Sequence, residues 1–394
     1  MAANLIDPVV KDYLFHDSPL RTVEGKRSFW IIVAVTLVLS VVGWVYFLNG
    51  RNISEYLIWI PLPILGSIIG YLILAFLDRE RRVRVFHFAT ILATLLFTTA
   101  ICAFFNTVSP APRLTVGLVE EFFKILPVLV LAIFVPNLIR TRKDGLVYGA
   151  MAGLGLNMME IGAYIAQTLS KTTMDEALIT HLTRLGLWGI GGHIILSAFV
   201  GMGVGMAAES NKTGWAKWKP AIICFVLAAI AHTVFDNGGS AIGIFAILGI
   251  ESLFGVDTSN AFAVENSGKL GPLNDAFRYG TYVFYSAFLI AMIIHIRKST
   301  LMENILQVEE LSTEDPTVVK KGELELVKGE RLFFKRKYRE YTKQVGSKIV
   351  MYQNLLAIQK HDDTWKARGA EADQVVVNLR DAIRSLRGPQ PPAN

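Results

Sequence analysis

The sequence predicts an all-α polytopic membrane helix bundle of about eight spans, followed by a helical tail domain. Three observations predict it. Apolar residues make up 52% of the chain and charged residues 18%, where soluble domains average about 45–50% and about 25%. The excess is gathered into blocks of about 20 residues, the length that crosses a hydrocarbon core. The blocks are separated by loops whose basic residues fall alternately, as in chains oriented by cytoplasmic positive charge.

The elements follow in order. Met1–Arg27 is polar and lacks the short apolar region and small-residue cleavage site of a signal peptide. Spans are expected at Phe29–Leu48, Ile53–Leu77 (kinked at Pro61 and Pro63), Val85–Phe105 and Leu114–Ile139. Four more are expected at Gly145–Leu169, Leu185–Ala207, Pro220–Asp236 and Arg278–Ile296. Basic clusters follow the second span (Arg79, Arg81, Arg82, Arg84), the fourth (Arg140, Arg142, Lys143), the sixth (Lys212, Lys217, Lys219) and the eighth (Arg297, Lys298). This pattern predicts both termini inside, with residues 1–28 as a cytoplasmic segment and 29–298 as the membrane domain. Gly238–Gly255 is apolar and glycine-rich; a crossing there would reverse the parity, so it is read as a re-entrant or outer-face helix. Residues 299–387 are charged and carry apolar residues at helical spacing, a cytoplasmic helical domain with a self-packing or partner-docking face. Residues 388–394 form a disordered tail.

The net charge of +6 is mostly loop charge, and no nucleic-acid partner is expected. Cys102 and Cys224 each lie in an apolar block, so neither a disulfide framework nor a cysteine zinc site is readable.

Ionisable residues inside spans are few. They are Glu120, Glu121 and Lys124 in the fourth span, Glu160 in the fifth, His193 in the sixth, and His232 and Asp236 in the seventh. Each carboxylate at the centre of a span costs roughly 2.5–3.5 kcal/mol on insertion scales, so a pair of them marks a functional site. From the expected topology, they lie within about one turn of a common level in the outer half of the bilayer. Lys124 follows the glutamates at i+4 and i+3 and can neutralise either one. Asp236, at i+4 from His232, can orient its imidazole. Glycines at Gly149 and Gly153, Gly186–Gly192, and Gly201 and Gly205 suggest close helix approach around these positions. Four carboxylates against one lysine require protonation, cationic histidines or a divalent ion. Glu121, Glu160, His193 and His232 are the candidate ligands for zinc with an open water position. The alternative is a metal-free site in which a glutamate activates water and a histidine helps hold the oxyanion.

Glu120-Glu121-x-x-Lys124, then Glu160, His193 and His232-x-x-x-Asp236 on successive spans resemble the PrsW family, intramembrane proteases of the CAAX-processing protease superfamily. The resemblance covers about Leu114–Gly239. It departs from the family's F-x-x-x-E motif at Leu156, which keeps an apolar residue before Glu160. The resemblance implies a multi-span peptidase of a bacterial inner membrane that cleaves a membrane-tethered protein substrate, as in regulated release of an anti-sigma factor. On this reading Glu120 or Glu121 is the general base. Glu160, His193 and His232 bind a metal or stabilise the oxyanion, Asp236 orients and Lys124 balances charge. Two rival readings are an ion or proton transporter, since intramembrane Glu and His also mark such pathways, and an inactive family member that binds a membrane partner.

Overall fold

The computed structural model describes residues 7–49, 58–77, 84–109, 112–169, 172–175, 177–178, 183–186, 189–254, 271–320, 322–324, 336–365 and 373–388. Arg79, Arg81, Arg82, His181 and the 389–394 end lie outside the described residues, as does the first part of the second expected span. Eight helices stand where eight spans were expected. They are α2 (Val23–Leu48), α3 (Pro61–Leu77), α4 (Val85–Val108), α5 (Pro112–Phe134), α6 (Arg142–Leu169), α7 (Gly192–Glu209), α8 (Gly214–Phe254) and α9 (Gly271–Leu311). A short α1 (Pro8–Leu14) precedes them, and α10 (Arg336–Val345), α11 (Ser347–Trp365) and α12 (Gln374–Arg387) follow. Among the described residues, five helices are long and apolar enough to cross a membrane: α2, α4, α7, the Gly214–Phe235 part of α8 and the Val283–Leu311 part of α9. The chain is an all-α membrane protein.

Local chemistry fixes the helix ends. Asp7 caps α1 ahead of Pro8, and the Thr22 hydroxyl accepts from Gly25 N to start α2. Two backbone irregularities inside the bundle are repaired by neighbours, as an apolar medium demands. Pro127 cannot donate to Phe123 O one turn back, and that carbonyl instead accepts from Thr98 Oγ1 at 3.2 Å. A π-helical turn at Thr94–Thr98 interrupts α4, and Leu96 O accepts from Trp44 Nε1 of α2 at 2.7 Å.

Glycine sets the distances between helices. A Cβ at Gly145, Gly149 or Gly153 of α6 would run into the backbone of Gly201, Ser197 or His193 on α7. The two four-residue stripes therefore interlock with main chain against main chain. At Gly117 of α5 a Cβ would meet Ala229 and Thr233 of α8.

The sixth span differs from its expectation. α7 begins only at Gly192: a 3-10 turn ends at Leu185, Gly186 and Gly189–Gly191 lie outside any helix, and Gly186, Gly189 and Gly192 take positive φ of 64°, 75° and 33°. Only glycine holds such a turn without strain. The turn fits against α3, where a Cβ on Gly66 or Gly70 would strike Leu185 or Gly189. Irregular backbone at membrane depth is thus buried in protein. The Gly238–Phe254 part of the apolar, glycine-rich segment is helical and runs on without a break from the seventh span, so α8 is 41 residues, about 60 Å at 1.5 Å per residue.

The first segment and the tail, expected as separate pieces, share one core. Val10, Tyr13 and Leu14 of α1 and Val135, Leu138 and Ile139 after α5 are buried with Tyr352, Leu356, Val376, Leu379 and Ile383. Both ends of the described chain therefore pack together. Polar contacts bind the same seam. Tyr352 Oη donates to Asp7 Oδ1 at 2.7 Å, and Lys348 Nζ lies 2.8 Å from Asp7 Oδ2. Arg140 reaches Asp362 at 2.9 Å and Tyr13 Oη at 2.6 Å. Two cations read from sequence as loop charge are structural groups: the half-buried Arg140, and the buried Lys143, which pairs with Glu303.

Candidate active site

Four helices bring the intramembrane ionisable residues together. α5 offers Glu120, Glu121 and Lys124 from adjacent turns, all buried. The Gly117 contact draws this face onto α8, where His232 is buried one turn further along. The α6–α7 glycine stripe sets His193 over Gly153, and the turn before α7 makes His193 a first-turn residue of its helix. Carboxylates around it therefore face the positive end of a helix dipole.

Glu121 binds the Lys124 ammonium and accepts from His232 Nδ1 at 2.9 Å. Lys124 Nζ also lies 3.0 Å from His193 Nδ1. The other nitrogen of His193 meets Glu160 Oε2, and Glu160 Oε1 accepts from Tyr164 Oη at 2.6 Å. Glu120 makes a different set of contacts. Its Oε1 accepts from Asn106 Nδ2 at 2.8 Å; its Oε2 is 3.5 Å from His232 Nε2 and 3.9 Å from His193 Nδ1. The two imidazole rings are edge to face with centroids 4.9 Å apart.

Six of the seven expected residues thus form one cluster. Asp236 lies on α8, one turn beyond His232, with its side chain outside the described residues. The lysine's choice, open in the sequence, falls on Glu121. The metal-sized group differs from the expected ligands: Glu120, His193 and His232 offer atoms all within 4.8 Å of one another. Glu121 is instead engaged by Lys124 and His232 Nδ1, and Glu160 holds the far side of His193. Sequence reasoning missed Asn106 and Tyr164. Tyr164 sits at i+4 from Glu160, a signal available in the sequence. Asn106 was read as the start of a loop, whereas α4 continues to Val108.

Residues 111–256 match the family described as PrsW family intramembrane metalloprotease. The chain carries a PrsW-family domain. Comparisons with curated proteins and with solved structures returned no match. The PrsW segment begins just before α5 and ends at the close of α8, so it contains every helix that carries a cluster residue except α4 with Asn106. A PrsW domain is that of an intramembrane peptidase, whose substrate is a protein in a membrane setting.

The donor set suits a metal ion. Two ligands at 2.0–2.1 Å from a tetrahedral ion lie about 3.3 Å apart. Glu120 Oε2 stands 3.5 Å and 3.9 Å from the two imidazole nitrogens. Charge supports the same place. With its Nδ1 proton donated to Glu121, His232 turns a lone pair from Nε2 toward the Glu120 carboxylate. Two acceptors facing at that distance are balanced by a shared proton or a cation between them. At His193 Nδ1 the Lys124 ammonium occupies the direction an ion would need, so the two compete for one lone pair.

Proposed function

We propose that the PrsW domain hydrolyses a peptide bond of a membrane-tethered protein, with water activated at Glu120. The observation that carries this reading is the pose of that carboxylate. Asn106 holds one oxygen, and the other, buried, faces both histidines. On this reading Glu120 takes a proton from the attacking water and returns it to the departing nitrogen; where no metal is held, His232 Nε2 shares that proton. Glu121 fixes the His232 tautomer. Glu160, steadied by Tyr164, holds His193, and Lys124 supplies positive charge for the oxyanion. Glu120, His193 and His232 would hold zinc or a similar ion, which supplies a more acidic bound water and a polarised carbonyl. The Lys124–His193 contact favours the second reading, a metal-free glutamate mechanism with the same base.

The site lies 13 residues, about 20 Å of helix, from the tail-side end of α5 at Phe134. With the basic loops inside, that distance supports a reaction toward the outer face, with termini and tail in the cytoplasm. Release of a tethered regulator fits that placement. The test is substitution of Glu120, Glu121, His193 and His232 one at a time in purified protein with single-span reporters. Cleavage at the normal rate by variants lacking any two of them would rule the mechanism out.

A further inference from the structure

A cavity of about 570 Å³ opens at the tail-side end of the bundle, between the start of α6, the α7–α8 connection, α9 and α11. Its size is within the range of small-molecule sites, about 300–1,000 Å³. None of its walls belongs to the glutamate–histidine cluster. The α7–α8 connection sets its level in the bilayer. Trp215 is 72% exposed there beside Lys217 and Lys219, the residue types of a membrane–water interface.

The lining is apolar at Met206, Pro220, Leu306 and Ile358, and its charges are mostly committed. Arg140 pairs with Asp362, Arg142 with Glu209 at 2.9 Å, and Glu303 with Lys143. Besides the exposed Asn211, two polar groups are not committed. The exposed Lys212 ammonium has no carboxylate within ion-pair distance among the described residues. Asn304 is only 9% exposed, yet its amide has no hydrogen-bond partner among the described residues. The amide is not sealed from solvent but opens on the cavity. Through this cavity, it can bond to an entering ligand.

We propose that the cavity binds a phosphate ester, with the phosphate on Lys212 and the polar end of the headgroup on Asn304. An anionic glycerophospholipid and a soluble phosphate ester share this chemistry. The interfacial level and apolar wall favour the lipid, as basic pockets between helices at this depth do generally. Because the walls come from the bundle and from α11, an occupant ties the tail to the membrane domain. The proposal is independent of the protease reading.

The test titrates purified full-length chain in detergent with phosphatidylglycerol, phosphatidylcholine and soluble glycerol 3-phosphate, and counts bound ligand by native mass spectrometry. One saturable phosphatidylglycerol is expected, retained at least tenfold more tightly than phosphatidylcholine. Lys212→Ala and Asn304→Leu should each weaken it at least tenfold. Saturable glycerol 3-phosphate binding lost in the same variants would support the site with a soluble source. Equal binding by wild type and both variants would overturn the proposal, as would the absence of saturable binding by either phosphate ligand. Lys212 is exposed, so its variant keeps the test valid should Asn304→Leu fail to fold.

Discussion

Replacing Gly153 with alanine should disable the site without unfolding the protein. A Cβ there would lie 2.5 Å from both His193 O and Ile194 Cα. Ordinary carbon contacts need about 3.5 Å or more, so α7 must move by about 1 Å at its first turn. The obstacle is main chain, which cannot rotate aside. Overpacking of this kind costs about 1–3 kcal/mol. The displaced turn carries His193, whose Nδ1 lies 3.0 Å from Lys124 Nζ and 3.9 Å from Glu120 Oε2. A misplacement of about 1 Å in a catalytic constellation can cost 10²-fold in rate. The assay is kcat/KM for a single-span reporter in proteoliposomes, read beside thermal unfolding. Gly280→Ala is the control, since nothing lies within 4 Å of a Cβ there. A folded Gly153→Ala protein within twofold of wild-type activity would refute the claim that the glycine stripe positions His193.

Further outcomes follow from other contacts. Asn106→Ala removes the 2.8 Å hydrogen bond to Glu120; a bond to a charged group is worth about 1.5–3 kcal/mol, so reporter cleavage should fall roughly 10- to 100-fold with folding retained. Arg140→Ala strands Asp362 in a largely buried seam and should destabilise the protein by about 3–5 kcal/mol, seen as faster limited proteolysis of the tail. The tail should also respond to acid. The Thr317 hydroxyl, acting against burial and with help from Arg384, holds Asp315 at a pKa of about 2. Its unfolded value is about 3.9, so its contribution is present above that value and is lost as pH falls toward 2. Proteolytic protection near Asp315 should be level from pH 7 to 5 and decline below about pH 4, and Thr317→Val should raise the pH of that decline.

Much of the bundle was legible because apolar blocks of spanning length leave few alternatives. The charged residues within them stood out through the cost of burying them. The close helix approach at Gly149, Gly153 and Gly201 was readable from four-residue spacing. Gly186–Gly192 misled, since an apolar run containing glycines reads as helix, whereas positive φ at three of them makes a turn. His193 therefore begins its helix, which spacing alone does not reveal. Asn106 was hidden because NTVSPAPR looks like a loop from its first residue. The union of α1 with the tail was illegible for a different reason. Val10, Tyr13 and Leu14 form only a short apolar face in a polar stretch, and their partners lie more than 300 residues away. Arg140 and Lys143 show the limit of charge counting, since composition does not tell a solvated cation from one neutralised in a seam.

The most direct test of the central claim is isotope incorporation during cleavage. Purified full-length protein in liposomes with single-span reporters is incubated in water enriched in oxygen-18, and the products are weighed by mass spectrometry. The account predicts one heavy oxygen in the new C-terminal carboxyl group. It also predicts no such product from Glu120→Gln or His232→Ala protein that binds the reporter normally. Labelled product formed by both variants at the wild-type rate would contradict it.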